Sequence, residues 1–197
     1  MDIRIHQILT GSIANGPGKR NAVWFQGCTL NCPGCFNPQT HSNTEGFCIS
    51  SDELCTQLLH PVHPCSGITI SGGEPFQQPD GLLELVIELK KRNAPPILVF
   101  SGYTFQQLQQ NSKFKPIQQF IDSLICGPYL KDQIPAYERF CSSANQELYL
   151  FSDRLKAEDF INLPIGEIII DNFGNTSYSG LFSGKDWESQ NRPEQKR

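Results

Sequence analysis

The sequence has 197 residues, 38% hydrophobic and 18% charged, a size and balance that fit one globular domain with its own core. Sixteen Lys and Arg against 20 Asp and Glu leave a net charge of -4, and no basic run is long enough to track a phosphate backbone, which argues against a nucleic-acid partner. Neither a signal-type leader nor an apolar stretch of membrane-spanning length is found, so a cytoplasmic protein without membrane contact is expected, its eight cysteines reduced rather than paired as a secreted framework.

The pattern predicts strands over 3–9 and 22–25, joined by the turn chemistry of "NGPGKR", in which two glycines flank Pro17. Ser50 and Glu53 form a capping-box pattern ahead of "DELCTQLLH", a helix that Pro61 closes. "GITIS" reads as a strand. After the "SGGEP" turn, Leu82, Leu83, Leu85, Val86, Ile87 and Leu89 mark a helix over 79–93 whose last turn carries Lys90, Lys91 and Arg92, where cations suit the dipole. "PILVF" is a buried strand, "SGYTFQQLQQ" turns from strand to helix, "PIQQFID" is a short helix, and "SLICG", "QELYLFS" and "EIIID" are strands. The domain is expected to span 1–172, with 173–197 a polar C-terminal tail of little apolar periodicity.

Short apolar strands alternating with amphipathic helices argue for parallel βαβ units, hence an α/β sheet or a partly closed barrel, with its site at the strand C-termini. The loop "GCTLNCPGCFNP" and the segments "SGGEP", "SGYT" and "CGPY" all follow strand ends and so share one edge.

Cys28, Cys32 and Cys35 sit in a C-x3-C-x2-C spacing. A structural zinc site would close its tetrahedron with a fourth ligand, which His41 could supply, giving a noncatalytic Cys3His module. A 4Fe-4S cluster held by the same three thiolates would instead leave one iron open to an exogenous ligand. Cys48, Cys55 and Cys65 are too widely spread to hold a second cluster.

The cysteine loop resembles the hallmark of the radical S-adenosylmethionine superfamily, and Cys28, Cys32 and Cys35 match it position for position. The resemblance implies one 4Fe-4S cluster whose open iron binds S-adenosylmethionine, reductive cleavage of that cofactor, and hydrogen abstraction by the resulting 5′-deoxyadenosyl radical. It also implies the fold, a truncated (βα) partial barrel of five to six parallel strands with an open side; a complete eight-unit barrel would need more chain.

Within the superfamily, "CPGCFN" is similar to the activating proteins of anaerobic ribonucleotide reductases, and the pyruvate formate-lyase activating branch shares the turn that "NGPGKR" resembles. Gly34 departs from the aromatic that many members carry just before the third cysteine. On this resemblance Phe36 is expected beside the adenine, Gly72, Gly73 and Glu74 near the methionine amino group, and Ser101 at the cofactor, where Thr104 reads equally as a helix cap. Asn15 and Arg20 are assigned to substrate approach, and Asn145 and Gln146 of "CSSANQ" read as polar contacts or, equally, as turn residues. "CGPY" lacks the Asp that relatives carry there.

The function so implied is an oxidoreductase that takes hydrogen from a glycine of a glycyl-radical enzyme, such as anaerobic ribonucleotide reductase. Its electrons would come from reduced flavodoxin or a ferredoxin-type protein. A stand-alone radical enzyme modifying a peptide or small molecule is the alternative within the superfamily.

Overall fold

The computed structural model describes residues 1–136, 138–170, 173–174 and 176–180. Strand β1 (Asp2–Ser12) pairs antiparallel with β2 (Arg20–Phe25) across the glycine-rich turn, and β3 (Phe47–Ser50) pairs antiparallel with the outer edge of β1. Every residue of β2 is buried, as befits a strand with neighbours on both sides and cover on both faces.

Three crossovers then extend the sheet in parallel. Helix α1 (Ser51–Leu58) precedes β4 (Gly67–Gly72), and α2 (Pro79–Lys91) leads to β5 (Ile97–Ser101). Next come the short helices α3 (Phe105–Gln110) and α4 (Phe114–Gln118), then β6 (Ser123–Cys126). The expected caps form: Ser50 Oγ accepts from the Glu53 amide at 3.1 Å, and Thr104 with Gln107 makes a capping box for α3.

The sheet is completed by β7 (Glu147–Leu150), in the order β3-β1-β2-β4-β5-β6-β7. Its large central part is parallel, and the α/β class stands. Four strands run parallel, β2, β4, β5 and β6, where five to six were expected. The reason lies at "QELYLFS": no helix carries the chain back across the sheet between β6 and β7, so β7 returns antiparallel. "EIIID" likewise has no crossover, and β8 (Gly166–Ile170) pairs only with β9 (Thr176–Gly180), in a separate hairpin. β9 arises from the stretch expected as polar tail; residues 181–197 of that tail lie outside the described residues.

The helices cover one face, packing Leu54, Leu58, Leu82, Leu85, Leu89 and Phe114 against Ile3, Ile68 and Ile97. Each such side chain, fully buried, stabilises the fold by about 1.5–3 kcal/mol. Along β5, Ile97 and Val99 join this core while Leu98 points the other way, into a smaller cluster with Ile125, Phe140, Leu155 and Phe160. No helix among the described residues is long and apolar enough to cross a membrane.

Arg20 anchors the start of β2 and is fully buried. Its guanidinium donates to Thr69 Oγ1 at 2.6 Å, to the Pro17 carbonyl at 3.0 Å, and to the Ile68 and Pro96 carbonyls. Burial lowers its pKa to about 10, so it stays charged at neutral pH. Gly67 makes room for it, since a Cβ there would lie 2.0 Å from Nη1. Arg20→Met should therefore remove a charged hydrogen bond from each of three carbonyls and a hydroxyl in the interior, although Pro96 O keeps the Ile68 amide and the Thr69 hydroxyl keeps Asn15 O, and should cost about 3 kcal/mol, read as a lower denaturation midpoint in urea.

Candidate active site

The parallel register aligns strand ends: Phe25 pairs with Gly72, and Ser101 with Cys126. Each chain segment leaving these positions therefore emerges at one edge of the sheet.

The cysteine loop leaves β2 through Gln26 and Gly27. It is closed at its root by the Gly27 amide donating to Thr40 O at 2.8 Å and the Cys28 amide to His41 O at 3.2 Å. At its tip the Cys35 amide donates to Cys32 O at 3.1 Å, and Gly34 takes a φ of 73°. A Cβ on Gly34 would come within 3.0 Å of Lys131 Cδ. Positive φ and this close approach together explain why a glycine stands where many members of the superfamily have an aromatic.

The "SGGEP" loop lies directly against that root. The Gly73 amide donates to Phe25 O at 2.8 Å and the Glu74 amide to Gly27 O at 2.9 Å, while a Cβ on Gly73 would sit 2.3 Å from Gly27 O. Glu74 is fully buried beneath the loops. Its Oε1 accepts from the Phe76 amide and from Ser101 Oγ, each at 3.0 Å, and its Oε2 from the Gly102 amide at 2.7 Å. Burial raises its pKa to about 7, with these hydrogen bonds acting in the opposite sense. Glu74 thus braces two loops from below.

The loops enclose a cleft of about 110 Å³ lined by Cys28, Cys32, Cys35, Phe36, Gly72, Gly73 and Ser101. The structure brings these seven expected residues together, sets Gln146 among them as the sequence reading allowed, and adds Tyr129. The Phe36 and Tyr129 rings stand 4.6 Å apart at 44°. Gln146 donates to Gly127 O at 3.0 Å and accepts from the Ser142 amide at 2.8 Å, tying the "SSANQ" loop to the end of β6.

Three expected residues lie elsewhere. Arg20 sits at the opposite end of β2 from the cysteines, and Asn15 in the turn before it donates to Ser12 Oγ at 2.6 Å and Ser179 Oγ at 2.7 Å. Asn145 donates to Pro128 O at 2.7 Å beside the cleft, with its Oδ1 buried and without a partner.

Burial raises the pKa of Cys28 and of Cys35, and a neighbouring Cys32 thiolate raises both further. Three thiolates gathered here call for a cationic centre to hold them, and that donor set suits iron–sulfur ligation. His41 lines the cleft with the three cysteines, its Nε2 buried and without a hydrogen-bond partner, yet among the described residues no three His, Cys, Asp or Glu converge on one metal ion. The residues fit a cluster whose ligands serve separate irons better than a tetrahedral Cys3His zinc site.

With a three-thiol loop at the C-terminal edge of a parallel sheet, the chain belongs to the 4Fe-4S single cluster domain family, which it matches over residues 14–149. It is a radical S-adenosylmethionine enzyme with one 4Fe-4S cluster and S-adenosylmethionine as cofactors. It is 30% identical over 148 residues to the anaerobic ribonucleoside-triphosphate reductase-activating protein of Pasteurella multocida, covering 71% of this chain and 92% of that protein. The Vibrio cholerae protein of the same name is 28% identical over 153 residues, 75% of this chain and 97% of its own length. The pyruvate formate-lyase-activating enzyme of Clostridium pasteurianum is 34% identical over 111 residues, 54% of this chain and 47% of its own, so the chain spans about half of that relative.

Two outcomes are expected. Cys28→Ala, Cys32→Ala and Cys35→Ala should each lose the cluster, while His41→Ala keeps iron and sulfide near four per chain, read by elemental analysis. Because the Glu74 pKa is raised from 4.5 to about 7 by folding, its contribution to stability is full below about pH 4.5 and is lost as pH rises through 7. Denaturation midpoints measured across that window should show this slope, and Glu74→Gln should flatten it.

Proposed function

We propose that this chain activates a glycyl-radical enzyme, the cleft serving to bring a glycine of that protein to a radical generated at the cluster. One observation carries the reading: three thiols line the same cleft as the Gly72–Gly73 backbone and Ser101. The names of the relatives, activating proteins for anaerobic ribonucleoside-triphosphate reductase and pyruvate formate-lyase, support the kind of partner.

When bound, the cluster and S-adenosylmethionine supply a carbon radical able to take a hydrogen atom from an unactivated C–H bond. Cys28, Cys32 and Cys35 hold the cluster as thiolates. Gly72 and Gly73, lacking side chains, leave backbone open to the amino-acid part of the cofactor, and Ser101 stands beside them. Phe36, backed by Tyr129, offers an apolar wall for the adenine and helps to keep water from the site. Glu74 contributes from beneath, by holding Ser101 and Gly102 in place.

Arg20 and Asn15 hold the turn at the far end of β2 from the cysteines, so their part is in the frame of the sheet rather than at the cleft. Asn145, next to Gln146, orders the wall through which a protein loop would enter. The working domain is taken as 1–172, with 173–197 outside it, and the sheet as the wall of a truncated, open-sided barrel whose gap admits a macromolecule. The proposal assigns the enzyme to the cytoplasm, with reduced flavodoxin or a ferredoxin-type protein delivering the low-potential electron that such a cluster needs.

The test is anaerobic. Reconstituted and reduced chain should convert S-adenosylmethionine to 5′-deoxyadenosine and methionine, and should raise a glycyl-radical signal by electron paramagnetic resonance on the anaerobic ribonucleotide reductase of the same organism. Cofactor cleavage with no signal on that protein, but with deuterium passing from a labelled free peptide into 5′-deoxyadenosine, would move the assignment to a stand-alone enzyme.

A further inference from the structure

The "GGEP" turn continues into a short 3-10 turn at Pro75–Gln77, and side chains of residues 74 to 78 reach three different parts of the site edge. Glu74 holds Ser101 and Gly102 from below. Gln78 donates to Gln26 O at 2.9 Å and to Arg4 O at 2.8 Å, and accepts from the Arg4 amide at 2.8 Å, fastening the exit of β2.

Gln77 does something the other two do not, because its single amide group reaches the cysteine loop and the "SGYT" loop at once. Its Oε1 accepts from the Thr29 backbone amide at 3.1 Å, and its Nε2 donates to Thr29 Oγ1 at 2.9 Å and to Tyr103 OH at 3.0 Å. Two bonds to one residue fix its orientation as well as its distance, and Thr29 is joined covalently to Cys28. On the other side, the Tyr103 amide donates to Ser101 Oγ at 3.1 Å. A continuous path of bonds therefore runs from a cluster cysteine to a cleft-lining serine through this one side chain.

We infer that Gln77 is a positioning residue, which sets the Cys28 loop against the Ser101 loop so that cluster and cofactor meet in register. The inference rests on the radical reading above. Its hydrogen bonds are exposed or half-buried, unlike those of Glu74, so they contribute little to global stability. Misplacement of a reacting group by a fraction of an ångström to an ångström is costly to function even where the fold is untouched.

The experiment uses the cluster-loaded chain and compares Gln77→Leu, Gln77→Glu and Tyr103→Phe. Gln77→Leu should keep iron content and thermal midpoint, yet need roughly 10-fold more S-adenosylmethionine to change the electron paramagnetic resonance signal of the reduced cluster. Hydrogen exchange at the Thr29 amide should quicken. Gln77→Glu should restore the response to within about 2-fold, since a carboxylate accepts from the Thr29 amide while both hydroxyls turn round to donate. Tyr103→Phe should give a smaller loss that does not add to that of Gln77→Leu.

An unchanged cofactor response in Gln77→Leu overturns the inference. So does a loss matched by falling iron content or thermal midpoint, or a Glu variant that behaves like Leu. If the unaltered chain itself gives no response to S-adenosylmethionine, the radical reading has failed and the positioning role falls with it.

Discussion

The parallel pairing of β2, β4, β5 and β6 is the constraint from which the site follows. Backbone hydrogen bonding in register brings Phe25 beside Gly72 and Ser101 beside Cys126. Whatever chain follows those positions must leave from the same edge. Residues far apart in sequence, Cys28, Gly73, Ser101 and Tyr129, are thereby brought to one cleft. The helices on one face hold the strands flat enough for this by burying an apolar layer, and the buried Arg20 guanidinium ties the opposite ends of β2, β4 and the approach to β5 together.

On that frame, polar side chains are used in two ways. Glu74 and Arg20 are buried and saturated with hydrogen bonds, so their chemistry is spent on holding loops. The three cysteines carry free thiols, and burial makes the ionised forms of Cys28 and Cys35 unfavourable.

Much of this was legible in the sequence where chemistry is local. Three closely spaced cysteines, a glycine pair after a strand, and Ser50 or Thr104 ahead of a helix each declare themselves within a few residues. The direction of β7 did not, because strand propensity carries no sense of direction and only the absence of a helix after β6 hinted at it. Arg20 and Glu74 read as groups turned toward ligands. Their burial is decided by Gly67, Thr69, Ser101 and Gly102, which lie far from them along the chain. Tyr129 became part of the cleft through an irregular stretch that no periodicity marks.

That irregular stretch has an evolutionary corollary. Between β6 and β7 the described residues from 127 to 146 form one wall of the cleft without regular helix or strand, whereas the opposite wall is bound to the sheet by the cysteine and glycine loops. One side is free to drift by insertion and substitution while the other is held by backbone geometry. Such a division lets descendants acquire new clients without rebuilding the inorganic machinery they share.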